Sequence, residues 1–77
     1  MKKELTVIER TFSFGSDFGN YYLKDDEGNN YWWFTSSNKA YEQMKEDSKH
    51  LCSFVITNDK WKHDKIGEVI KIKNVRF

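Results

Sequence analysis

The side chains in this 77-residue chain with chemistry to offer are rings and lysines. Tyr22, Trp32 and Phe34 fall close to Lys24, and Trp61 sits among Lys60, Lys62 and Lys65. Exposed rings stack on nucleobases while lysines follow phosphates, which is how single strands are held without base-pair readout. Patterns that support catalysis are missing: there is no Gly-rich phosphate loop, no nucleophile elbow and no paired metal motif. Glu9, Asp17 and Glu68 are scattered carboxylates. His50 and Cys52 share one strand face, but two ligands do not make a zinc site, and His63 stands alone. The acidic run Asp25-Asp26-Glu27 lacks the spacing and ligand number of a calcium loop. The expectation is a binding module that is not an enzyme and uses no cofactor or metal.

These residues need a scaffold, and Asn20–Phe34, NYYLKDDEGNNYWWF, supplies its centre. Bulky rings suit both arms of a β-hairpin, and Asp and Asn favour turns through local backbone bonds. A type I turn over Asp26-Glu27, with Gly28 at positive φ, predicts a register of Leu23 with Tyr31, Tyr22 with Trp32 and Tyr21 with Trp33. One face then carries Tyr21, Leu23, Tyr31 and Trp33. The other carries Asn20, Tyr22, Lys24, Asn30, Trp32 and Phe34; its polar members mark it as the wetter face, with Tyr22, Trp32 and Phe34 exposed.

Around the hairpin, Lys3–Phe14 reads as a first strand whose change of apolar parity predicts a bulge near Glu9–Thr11. Gly15-Ser16-Asp17 reads as a loop, followed by strands over Phe18–Lys24 and Asn30–Ser36. Ser36-Ser37-Asn38 caps a short helix over Lys39–Glu46, with Tyr41, Met44 and Ala40 turned toward the core. A strand over Lys49–Thr57, a polar loop over Asn58–Lys65 and a strand over Gly67–Phe77 complete the chain, with Ile70 and Ile72 on one face of the last. The result is a mainly β single domain: a small five-stranded antiparallel OB-like barrel with one short helix between strands 3 and 4. An SH3-like barrel is the rival.

Composition narrows the setting. The single cysteine permits no internal disulfide, which fits a reducing, cytoplasmic setting. No apolar run is long enough to span a bilayer, and Glu9 and Arg10 interrupt the start MKKELTVIER, unlike a signal peptide. Net charge is only +1, yet residues 1–48 carry six Lys/Arg against nine Asp/Glu and residues 49–77 carry seven against three. That basic final third is an electrostatic footprint for phosphate, or simply a solvated strand face.

The run YYLKDDEGNNYWWFTSS resembles the second and third strands of small bacterial and phage OB-fold-like domains, and SFVITNDKWKHDKIGEVIKIKNVRF resembles their last two. Ile72 and Val75 match the closing strand; Ile70 stands where Thr is usual and Asn74 where Arg is usual, which weakens an inherited nucleic-acid role. The resemblance implies the fold first, and single-stranded DNA or RNA binding second. A reading from another class is a phage-encoded protein-interaction module that inhibits a bacterial enzyme or defence complex. Its contact residues would be Asp25, Asp26, Glu27 and Trp61, the acidic tip imitating nucleic-acid charge. Self-association through an exposed sheet edge is a third. Lys/Asn-rich usage without proline fits an AT-rich bacterial or phage genome.

Overall fold

The aromatic hairpin forms where its turn chemistry puts it. A computed structural model describes residues 1–12 and 17–77. In it β2 (Gly19–Lys24) pairs with β3 (Asn30–Thr35) in the register expected, Leu23 opposite Tyr31, Tyr22 opposite Trp32 and Tyr21 opposite Trp33. The Gly28 N–H donates to the Asp25 carbonyl at 3.2 Å, and Gly28 takes a φ of 87°. A Cβ at that φ is strained although the space around it is open. Gly28→Ala is therefore expected to cost about 1 kcal/mol in a urea titration.

β1 (Lys2–Phe12) pairs with β2 on one side and with β4 (Lys49–His63) on the other. Its bulge lies between Val7 and Glu9, slightly ahead of the position expected, because Leu5 and Val7 are the last buried residues of the first parity. Phe14, Gly15 and Ser16 lie outside the described residues.

Helix α1 (Asn38–Gln43) starts where the cap predicts: Ser37 Oγ accepts the Ala40 N–H at 3.2 Å. It is shorter than expected, and Ala40 and Met44 are its buried contacts. Tyr41, expected in the core, is 58% exposed instead, with its ring against Phe12 and the Arg10 guanidinium. Ala40 and Met44 stand four apart, so one turn of helix aims both at the barrel end and rotates Tyr41 away.

The largest departure lies in β4. Asn58–Lys65 is not a polar loop; β4 runs on to His63, turns through residues 64–66 and returns as β5 (Gly67–Arg76). Register slips between Ile56 and Lys60, so the far end of the hairpin becomes an arm that leaves the barrel wall. Within the arm Trp61 and His63 turn toward Tyr22 and alternate with Lys60 and Lys62, a pattern of two inward residues that is too short and too polar to read as a strand. In β5 Ile72 is buried in the core and Ile70 packs partly against it, while Val69, also buried, pairs with Trp61 in the arm.

The sheet closes as a barrel in the order β1-β2-β3-β5-β4, with the helix between the third and fourth strands. It is mixed rather than wholly antiparallel: Tyr31 and Trp32 pair in parallel with Ile70 and Lys71. α1 carries the chain across the barrel end, so β5 returns beside β3 running the same way. Closure removes the open edges on which self-association would build, leaving those of the short arm. Leu5, Leu23, Tyr31, Met44 and Phe54 form the centre of the core. Cys52 is buried with them, and burial pushes its thiol up to about 11. Among the described residues no helix is long and apolar enough to cross a membrane, and no cluster could hold a metal ion.

Candidate nucleic-acid interface

The outer faces of β2 and β3 alternate out of the barrel as Asn20, Tyr22 and Lys24 beside Asn30, Trp32 and Phe34. The β4–β5 arm folds back across them. Tyr22 is consequently not the exposed platform expected from its polar neighbours. It is only 6% exposed, with the His63 ring centroid 4.7 Å away and that of Trp61 6.4 Å away. Burial pushes its phenol up, and the nearby Glu9 carboxylate adds to the effect.

Trp32 is half-buried and firmly set. Its Nε1–H donates to Asn20 Oδ1 at 2.9 Å, Trp61 meets it edge-on at 5.7 Å, and Lys71 Nζ lies 5.3 Å from the ring centroid. Trp61 remains 39% exposed, so the two indoles form an L whose open side faces solvent. Further along β3, Phe34 is 47% exposed and stacks on Phe18 at 5.0 Å with the planes 5° apart.

Lysines flank these rings. Lys24, Lys60, Lys62 and Lys65 are exposed, and none makes an ion pair among the described residues. Lys60, Trp61, Lys62 and Glu68 line an open depression of about 410 Å³. Trp61, expected in a separate flanking loop, thus joins Trp32 on this surface, while Lys60 and Lys62 alternate to the other side of the strand and share with Trp61 only that depression.

The acidic tip is occupied internally. Asp25 is buried and accepts the Glu27 and Asn29 backbone N–H groups, both at 2.9 Å, the Asn29 amide at 3.0 Å, the Tyr31 hydroxyl at 2.9 Å and Lys3 Nζ at 3.1 Å. Burial opposes its charge, but the bonds from Asn29, Lys3 and Tyr31 outweigh it and hold the carboxyl well below the usual range. Exposed Glu27 pairs with Lys3 at 3.0 Å, and exposed Asp26 with Lys49 at 3.3 Å. Pairing with Glu27 and then Asp25 raises Lys3; pairing with Asp26 raises Lys49. Negative charge at the tip is therefore met within the chain, while the lysines beside the rings are left to solvent.

Sequence reasoning missed Phe18, Lys71 and His63 as members of this surface. Phe18 shares the parity of Asn20 and Tyr22, so its signal was present. Lys71 reaches Trp32 through a parallel pairing, and His63 reaches Tyr22 through the arm; neither is encoded locally. Comparison with family models, with curated proteins and with solved structures finds no match to this chain.

Proposed function

We propose that this barrel binds single-stranded nucleic acid, with bases stacked on Trp32, Trp61 and the Phe18–Phe34 pair and phosphates near Lys24, Lys60, Lys62, Lys65 and Lys71. The observation that carries the reading is the strip of solvent-reaching rings with nearby lysines that make no ion pair among the described residues. Rings supply sequence-tolerant stacking, and unpaired lysines supply counterion release. Affinity for an oligonucleotide falls steeply with salt. Each phosphate contact on a single strand contributes a slope of about 0.7 in log K against log salt, so Lys60→Ala with Lys62→Ala lowers the slope by about 1.4. A slope unchanged by both substitutions counts against contact through the arm.

The second reading is a protein-interaction module, and one observation favours it. On the wall opposite β2 and β3, exposed Leu51 and Val55 of β4 alternate with Ser53, in register with Lys2, Lys73 and Arg76 on the neighbouring strands. Leu51 itself stands opposite Glu4, so the row is basic toward Ser53 and Val55 and mixed toward Leu51, a pattern that suits a protein partner with acidic groups at one end. The acidic tip suits a basic one less well, since Asp26 and Glu27 already pair with Lys49 and Lys3. Under this reading a bacterial protein is retained on the immobilised barrel at high salt and lost with Leu51→Lys; retention of nothing argues against it.

A further inference from the structure

We propose that protonation of His63 opens the turn at the end of the β4–β5 arm. As regulation of the interface above, the proposal rests on the nucleic-acid reading; as a switch in the free protein, it does not.

The geometry defines one protonation state. His63 Nδ1 accepts the backbone N–H of Lys65 at 3.1 Å and that of Ile66 at 3.3 Å. A ring nitrogen accepts only through a bare lone pair, so the proton of the neutral ring sits on Nε2. Nε2 lies 3.8 Å from Glu9 Oε2 on β1. Tyr22 of β2 meets the ring edge-on at 4.7 Å, and Trp61 of β4 lies 5.4 Å away. Glu9 is the charged side chain facing the ring among the described contacts. Tyr22, its phenol pushed up by burial, stays neutral wherever histidine titrates.

A second proton lands on Nδ1, where it confronts two N–H donors. Three donors cannot share one site, so both turn bonds break. The other side of the ring responds in the opposite sense: Glu9 attracts the imidazolium through Nε2–H. The ring therefore stays against β1 and β2 while residues 64–66 let go of it. Ile66 also accepts the Asn30 side-chain amide through its carbonyl at 3.5 Å, so release of the turn loosens the arm where it crosses β3. Lys65 and the outer end of the arm lose their fixed positions, and an ordered contact with a ligand weakens.

The test follows the His63 ring nitrogens and the Lys65 and Ile66 amides by nitrogen-15 NMR in the intact protein from about pH 8 to about pH 5, the range in which histidine titrates. As Nδ1 gains its proton, amide exchange at Lys65 and Ile66, corrected for its intrinsic pH dependence, rises about tenfold or more with the same midpoint. His63→Gln abolishes the step. Titration of His63 with both amides still protected overturns the proposal, as does a step that survives in His63→Gln. Titration with a (dT)12 oligonucleotide separates the two readings: affinity that falls toward pH 5 in the native chain but not in His63→Gln supports the regulatory role. An equal fall in both overturns that role, and no binding at any pH removes the nucleic-acid reading while the amide data still decide the switch.

Discussion

Trp61→Ala weakens binding of a single-stranded oligonucleotide by about tenfold or more, and Trp32→Ala does the same. Stacking on one aromatic side chain is worth about 1–3 kcal/mol per base, and about 1.4 kcal/mol is a factor of ten. The two indoles meet edge-on at 5.7 Å, so removing one also takes away a wall of the other's site. Trp32→Ala further strands Lys71, whose ammonium lies over that ring. Phenylalanine at either position keeps a π face and recovers most of the affinity, which separates stacking from general damage. Because Trp61 covers Tyr22, thermal melts of each variant must accompany the titrations. Unchanged affinity in a folded alanine variant contradicts the assignment of that ring.

Asp25→Ala destabilises the fold by about 3 kcal/mol, since it leaves buried donors without an acceptor. That is a large part of the roughly 4–12 kcal/mol expected of a domain this size. The carboxylate ties the tip of β2–β3 to the core through the Tyr31 hydroxyl and to β1 through Lys3. Asp25→Asn keeps the shape but brings its own N–H donors against those of Asn29 and Lys3, so it loses an intermediate amount. The sign of the pH dependence follows from the direction of the shift. A carboxyl held below its usual range stabilises the folded state above the unfolded value of about 3.9, and that contribution is lost as pH falls through the folded value. The difference in urea midpoint between the native chain and Asp25→Asn should therefore be full at neutral pH, begin to shrink once pH falls below about 3.9, and still be partly present near pH 3. Asp25→Ala with native stability at neutral pH contradicts this account of the tip.

What the sequence disclosed and what it hid follow from one distinction. The hairpin register was legible because its information is local: Asp25, Gly28 and Asn29 specify the turn, and the turn aligns Leu23 with Tyr31. The Ser37 cap was legible for the same reason. The order of strands and helix then pointed to the closed five-strand barrel. Legibility ended where a residue's surroundings come from distant chain. Tyr22 looks exposed from its polar neighbours on β2, yet it is covered by Trp61 and His63, some forty residues on. Trp61 looks like an isolated ring because the residues it packs on, Tyr22 and Trp32, come from distant β2 and β3. Tyr41 was misplaced for a subtler reason. A six-residue helix turns only two positions firmly inward, and Ala40 competes for the same place on the barrel end.

The central claim, that bases reach the indoles of this surface, has a direct optical test. Trp61 lines the depression with Lys60 and Lys62 and meets Trp32 edge-on, whereas Trp33 is buried in the core and supplies a background signal that should stay constant. Titration with single-stranded DNA and RNA at low and at moderate salt is predicted to quench the fluorescence, more strongly at low salt, with the change abolished in a Trp32→Phe/Trp61→Phe chain that still binds. No quenching at low salt, where phosphate contacts are strongest, contradicts the claim and shifts the search to a protein partner on the Leu51–Val55 wall.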